Sequence, residues 1–274
     1  MKEKFDLVIE AGKKRKLYWR DFINSREILF FLAWRDLTVR YKQTVIGILW
    51  SLLQPTLNLV IFVFVFSKIA RLPTASGSPY AIMVFAGLLP WQFFANSVTQ
   101  SSQSLINNAN LVSKIYFPRM ILPLSSIAAC LVDFVISLFV FFFLMAFYKF
   151  VPGIQVLLMP LFLLQCMLLI IGIGFFVSAL NVKYRDFRIL VPFALQVGMY
   201  ISSVGFSSHL VPERFRFIYS LNPMVGIIEG FRWCILGEPV YLPGMISSVV
   251  VTLGVLYVGY MVFKKIESYM ADYI

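Results

Sequence analysis

The chain has 274 residues, of which 60% are hydrophobic and only 14% charged, with a mean hydropathy of +0.83. A soluble domain is about 45–50% apolar and about 25% charged, and no globular surface of this size hides such an excess, so a cytosolic enzyme with one packed core is excluded. The net charge of +11 does not mark a nucleic-acid binder: eleven of the 24 Lys and Arg precede residue 43, and most others sit in short gaps between apolar runs, as membrane topology requires.

Residues 1–42 form a polar arm. Within it Asn24–Tyr41 reads as a helix, with Asn24 as cap and Glu27 as its capping-box partner. Phe30, Trp34, Leu37 and Tyr41 share one stripe, while Arg35, Asp36, Arg40 and Lys42 fall elsewhere on the wheel. The pattern predicts an amphipathic helix in the membrane interface, aromatics toward lipid and charges toward water or a partner. A plain orientation anchor is the simpler alternative.

A membrane helix needs about 20 mostly apolar residues. Six runs qualify: Thr44–Phe66, Tyr80–Ser101, Met120–Tyr148, Ile154–Leu180, Ile189–Ser208 and Tyr241–Phe263. They define an expected six-span membrane domain, 43–264, and leave a short tail, 265–274. The fold class expected is an all-α integral membrane protein with six transmembrane helices. The first run is too long for a cleavable signal core and is expected to stay as a span. With the N-terminus inside, 18 Lys and Arg lie on the cytoplasmic side and 6 outside, which predicts that both termini are cytoplasmic.

The second run opens Gly87-Leu88-Leu89-Pro90-Trp91-Gln92-Phe93-Phe94 and then turns polar: Asn96, Ser97, Thr99, Gln100, Ser101, Ser102, Gln103, Ser104, Asn107 and Asn108. No charge occurs between Arg71 and Lys114. Sugar C–H faces stack on aromatic rings and amides exchange hydrogen bonds with hydroxyls, so this composition suits a neutral, hydroxylated ligand. Small polar residues that glue helices together are the competing reading. In the third run Asp133 is a carboxylate within apolar surroundings. It is either an ion or proton relay or a group paired inside the bundle.

Between the fifth and sixth runs, Pro212-Glu213 and Asn222-Pro223 both look like helix starts, since proline suits the first turn and asparagine caps well. Two short helices are expected, Pro212–Ser220 and Pro223–Leu236. Neither can span, and both are apolar enough to re-enter the outer leaflet over a pathway. Glu229 and Arg232, three residues apart, are expected to pair on the second of them.

The chain lacks the groups of an enzyme. It holds one histidine, His209, and three scattered cysteines with no CxxC pair, so neither a metal nor a disulfide framework is expected. A Walker loop needs GxxxxGK[ST]; the Gly12-Lys13 pair is followed by Lys14 and has no glycine five places earlier. No catalytic residue and no nucleotide cofactor are expected. If the protein performs work, its fuel is burned elsewhere.

The run Arg35-Asp36-Leu-Thr-Val-Arg40-Tyr41-Lys42-Gln43-Thr44-Val-Ile-Gly47-Ile-Leu-Trp50 with Pro55 resembles the N-terminal signature of permease subunits in type-2 ABC exporters of polysaccharides and teichoic acids. Gly87-Leu-Leu-Pro90-Trp91, Asn110-Leu-Val-Ser-Lys114-Ile-Tyr116-Phe117-Pro118-Arg119, Asn181-Val-Lys-Tyr184-Arg185-Asp186 and Leu221-Asn222-Pro223 follow in the same order. The closest likeness is to the subunit exporting lipid-linked O antigen. One departure is Ser202-Ser203-Val204, where the family usually carries a Ser-Pro-Val turn.

The resemblance implies a homodimer in the cytoplasmic (inner) membrane, working with two copies of a separate ABC ATPase that binds the ATP. It implies an ATP-driven export of lipid-linked polysaccharide; from their aromatic and amide character, Trp50, Trp91, Phe93, Phe94, Asn96 and Tyr200 are expected along a substrate channel enclosed by the two copies. Arg35, Asp36, Arg40, Lys114, Tyr116 and Arg119 would couple to the ATPase. Pro212, Asn222, Pro223, Glu229 and Arg232 would form an outer gate. Teichoic acid, capsule or a small lipid or drug are alternative cargoes. An ion-coupled secondary transporter using Asp133 is a different class, and a membrane-embedded transferase would need an acid or histidine cluster not seen here.

Overall fold

In a computed structural model of the chain, the structure describes residues 23, 25–42, 47–69, 78–267 and 270. Among them there is no strand. Helix α1 covers Arg26–Lys42, and α2 covers Gly47–Phe62 and continues into a π-turn at Val63–Ile69. They are followed by α3 (Tyr80–Asn107), the short α4 (Ala109–Lys114) and α5 (Ile121–Phe147). A 3-10 turn at Ile154–Leu158 leads into α6 (Met159–Lys183), then α7 (Phe187–Ile201). The chain ends with α8 (Glu213–Ser220), α9 (Pro223–Leu236) and α10 (Leu242–Glu267).

Among the described residues four helices are long and apolar enough to cross a membrane: α3, α5, α6 with its leading 3-10 turn, and α10. The runs expected as first and fifth spans give shorter apolar helices, Leu52–Phe66 and Phe187–Ile201. The fifth run was expected to reach Ser208, but α7 stops at Ile201, where Ser202 leaves the helix and Ser203 takes φ 52°. The carbonyls of Val204, Gly205 and Phe206 in the stretch that follows are answered by side chains of other helices, which is how non-helical backbone is tolerated inside an apolar bundle.

α3 sits in the centre. It packs against α5, α6 and α9, with α2 and α7 beside it, and 83% of its most apolar stretch is buried, against 22% for α10. α10 lies on α6 through a glycine crossing: a Cβ at Gly259 would meet the Gly172 carbonyl oxygen at 2.0 Å. Backbones approach this closely only where side chains are missing. α9 has well-formed ends. Asn222 Oδ1 accepts from the Met224 N–H at 3.1 Å, Pro223 occupies the first turn, and Gly237 closes the helix at φ 68°.

α1 does not match the predicted orientation of its charges. Phe30 and Trp34 are exposed as expected of a lipid-facing stripe. Leu32 and Ala33 are buried, and Leu32 joins an apolar cluster with Leu105, Val112, Phe117, Ile121, Phe175 and Phe263. On that packed side Arg35 and Arg40 also turn inward, because polar partners wait on α3 and α5. The expected cap Asn24 lies outside the described residues.

Candidate functional site

The predicted channel aromatics are distributed on both sides of the protomer's surface. Trp91, Phe93 and Phe94 are buried inside it. Phe93 packs on Phe134 of α5 with ring centroids 5.1 Å apart, and Trp91 stacks over α7, where a Cβ at Gly198 would lie 3.0 Å from its ring. Tyr200 and Asn96 are exposed. The Trp50 side chain lies outside the described residues.

The polar run of α3 divides between two faces. Ser97, Ser101, Ser102 and Ser104 are buried. The last three donate to carbonyls three residues back in the helix, at 3.1, 2.7 and 2.7 Å. Ser101 Oγ also fills the space over Gly174 of α6, where a Cβ would meet it at 2.7 Å. These hydroxyls serve helix packing. The amides do something different. Gln92, Asn96, Gln100, Gln103 and Asn107 are all the Asn and Gln of α3, and at about 100° per residue they fall within an arc of about 80°. Asn96, Gln100 and Asn107 are exposed, and Gln92 and Gln103 half-buried. The spacing of four, four, three and four was in the sequence. The composition reading took amides and hydroxyls of this run together and carried only Asn96 into the channel, because it weighed residue types rather than their period.

At the end of the bundle carrying α4, the segments assigned to coupling come together. Arg35 Nη2 donates to Asp36 Oδ1 and to Asn108 Oδ1, both at 2.8 Å, so α1 is docked on the turn between α3 and α4. Lys114 and Tyr116 are exposed. Arg119 is tied to the end of α10: its N–H donates to Glu267 Oε1 at 3.1 Å and its guanidinium to the Glu267 carbonyl. Arg40 is committed inside the chain, donating through Nη1 to Asp133 Oδ2, while the Tyr41 hydroxyl donates to Asp133 Oδ1. Asp133 is a paired carboxylate. Neither Asn108 nor Glu267 was marked by any sequence signal beyond its polarity.

At the opposite end, the expected Glu229–Arg232 ion pair does not form. Arg232 is 1% exposed and turns toward α3, where Gly87 leaves it room: a Cβ there would lie 2.9 Å from Nη2. Its Nη2 donates to the Val204 carbonyl and Nη1 to Phe206, both at 2.8 Å, and Nε to Met83 at 3.3 Å. The Tyr80 hydroxyl donates to the Gly205 carbonyl at 2.6 Å. Val204, Gly205 and Phe206 belong to the non-helical stretch that follows α7. Asn222 Nδ2 adds a bond to Ser202 Oγ at 2.9 Å, and Pro212 opens α8. Glu229 and Glu238 lie near this guanidinium. Burial pushes both carboxyls above the ordinary range, while the Arg232 charge, and Ser208 for Glu229, work against it.

Among the described residues no group of His, Cys, Asp or Glu could hold a metal ion. The site is therefore built on one largely buried helix with an uncharged amide face, with α1 docked at one end and the loop after α7 anchored at the other. The chain is 28% identical over 255 residues to the O-antigen export system permease protein RfbA of Klebsiella pneumoniae, covering 90% of this chain and 94% of that protein. It is 29% identical over 215 residues to the protein of the same name from Myxococcus xanthus, covering 78% and 82%. It is 23% identical over 253 residues to the polysialic acid transport protein KpsM of Escherichia coli, covering 86% and 92%. A family model described as ABC-2 type transporter matches residues 27–236, and the chain belongs to that family of membrane permeases.

Proposed function

We propose that the chain is the membrane subunit of an ATP-driven exporter that moves lipid-linked polysaccharide across the cytoplasmic membrane. Two copies work with two copies of a separate ATPase subunit, each copy spanning six times with both termini in the cytoplasm. The observation that carries the reading is the amide face of α3, an uncharged row of donors and acceptors on which Asn96, Gln100 and Asn107 are exposed. An amide offers both a carbonyl and an NH2 group, so it exchanges hydrogen bonds with sugar hydroxyls in any register. Bonds of this kind are worth about 0.5–1.5 kcal/mol net. A polymer can therefore step along the row without being trapped. The relatives named for O-antigen export and polysialic acid transport support a glycan cargo.

Tyr200 and Asn96, exposed on α7 and α3, stand on the pathway in this reading. The buried Trp91, Phe93 and Phe94 stiffen its wall from behind. Lys114 and Tyr116 offer the exposed surface to the ATPase, with Arg35, Asp36 and Arg119 bracing them. The short helices α8 and α9, with Pro212, Asn222, Pro223, Glu229 and Arg232, re-enter the outer leaflet and close the exit at rest. The experiment is to purify the chain gently from its host and reconstitute it with the ATPase that accompanies it. ATP-dependent accumulation of glycolipid inside inverted vesicles is expected. A chain that arrives alone and moves substrate on a proton gradient would overturn the proposal.

A further inference from the structure

α1 touches the bundle through polar bonds at two levels. The first is Arg35 on Asn108, at the end of α3. The second lies five residues further along α1, where Arg40 and Tyr41 take one oxygen each of Asp133. Asp133 is twelve residues into α5, about 18 Å from its start at 1.5 Å per residue. Between the two levels α1 lies along α5. The Arg40 and Asp133 side chains are 32% and 20% exposed, so the pair is shielded enough for its charge to count. α5 in turn packs along α3, the helix that carries the amide face.

A carboxylate in an apolar helix costs free energy unless it is answered. Here both oxygens are answered from one neighbouring helix, and that helix is the one docked at the α4 end. We propose that Asp133 is a positioning residue. Through Arg40 and Tyr41 it joins α1 to the middle of α5, so that a displacement of α1 is passed to α5 and from there to the transport face of α3. The inference rests on the exporter reading and adds to it the route by which the stroke enters the bundle.

The test uses the full permease–ATPase complex and a host lacking the native chain. Export is read as hexose on the surface of intact cells, and hydrolysis as ATP turnover by the purified complex. Asp133→Asn keeps the shape and one acceptor for Tyr41 but removes the charge. It is expected to leave ATP turnover within about twofold while surface hexose falls by about tenfold or more, a loss of coupling that a merely structural role would not produce. The exchange variant Arg40→Asp with Asp133→Arg is expected to restore at least a third of export, and Asp133→Glu most of it. Normal export by assembled Asp133→Asn overturns the proposal. So does an exchange variant that assembles, hydrolyses ATP and exports no better than either single change. Absence of ATP-dependent surface hexose with the unaltered chain would instead overturn the exporter reading itself.

Discussion

Two arginines in this chain are taken out of water by different means. Arg232 is answered by backbone carbonyls of Met83, Val204 and Phe206, whereas Arg40 is answered by a carboxylate on another helix. Carbonyl dipoles are fixed to the main chain, so the Arg232 contact holds the loop after α7 in one shape. A carboxylate is carried by a side chain and brings a full charge, so the Arg40 contact fastens two helices that can still move together. One end of the molecule is clamped. The other is linked.

The largest effect that would break this comparison is expected at the clamp. Arg232→Met leaves the Val204 and Phe206 carbonyls without their donor, at about 1–3 kcal/mol each, against a typical total stability of about 5–15 kcal/mol. Folded chain is expected to be lost from mild-detergent extracts measured by size exclusion. A well-folded Arg232→Met chain would show that the loop after α7 holds itself. At the link, Asp133→Asn is expected to fold, with a loss of about 1–2 kcal/mol, because its pair is not fully desolvated. Thermal unfolding in detergent measures it, and a collapse as complete as that of Arg232→Met would erase the distinction.

A smaller effect sharpens the linked end. Lys114→Glu changes an exposed charge and is expected to leave the melting midpoint within about 0.5 kcal/mol of native stability while weakening the ATPase contact. Arg119→Glu removes a partner of Glu267 and is expected to lower both. Equal melting losses for the two would contradict the placement of Lys114 on free surface. The smallest effect concerns pH. Burial raises the Glu238 carboxyl, so its contribution to stability is full below the ordinary carboxylate value of about 4.3 and is lost as pH rises through the raised value. Glu238→Gln is therefore expected to flatten the part of the melting curve that improves on acidification from neutral pH. An unchanged slope would mean that the carboxyl is solvated.

Hydropathy made the helical membrane class legible, because runs of about 20 apolar residues have few other fates. Asn222-Pro223 placed the start of α9 to the residue, since its cap is made by local atoms. What sequence left hidden was long-range. Trp91, Phe93 and Phe94 look like channel aromatics by type, but burial depends on which helices close over α3, and α5 and α7 do so. Truncating Trp91 to alanine would accordingly cost stability, about 3–5 kcal/mol for a large buried ring. The Glu229–Arg232 pairing followed from helical spacing alone; it missed that broken backbone at Val204–Phe206 offers better acceptors within reach. The Arg40–Asp133 pair joins residues 93 apart, beyond any local pattern. The amide row of α3 was readable by period. It was obscured because serines of the opposite face are interleaved with it.

The central claim is that the exposed amides of α3 carry a glycan, and it is met most directly at Asn96 and Gln100. The double variant Asn96→Leu, Gln100→Leu keeps side-chain size and touches neither the clamp nor the link. In the reconstituted complex, glycolipid moved per ATP hydrolysed is the quantity to read. The account predicts a fall of about tenfold, in line with two lost hydrogen bonds at each step of the polymer, with ATP turnover and melting midpoint retained. Unchanged transport per ATP in the well-folded double variant would contradict it and move the pathway to another face of the bundle.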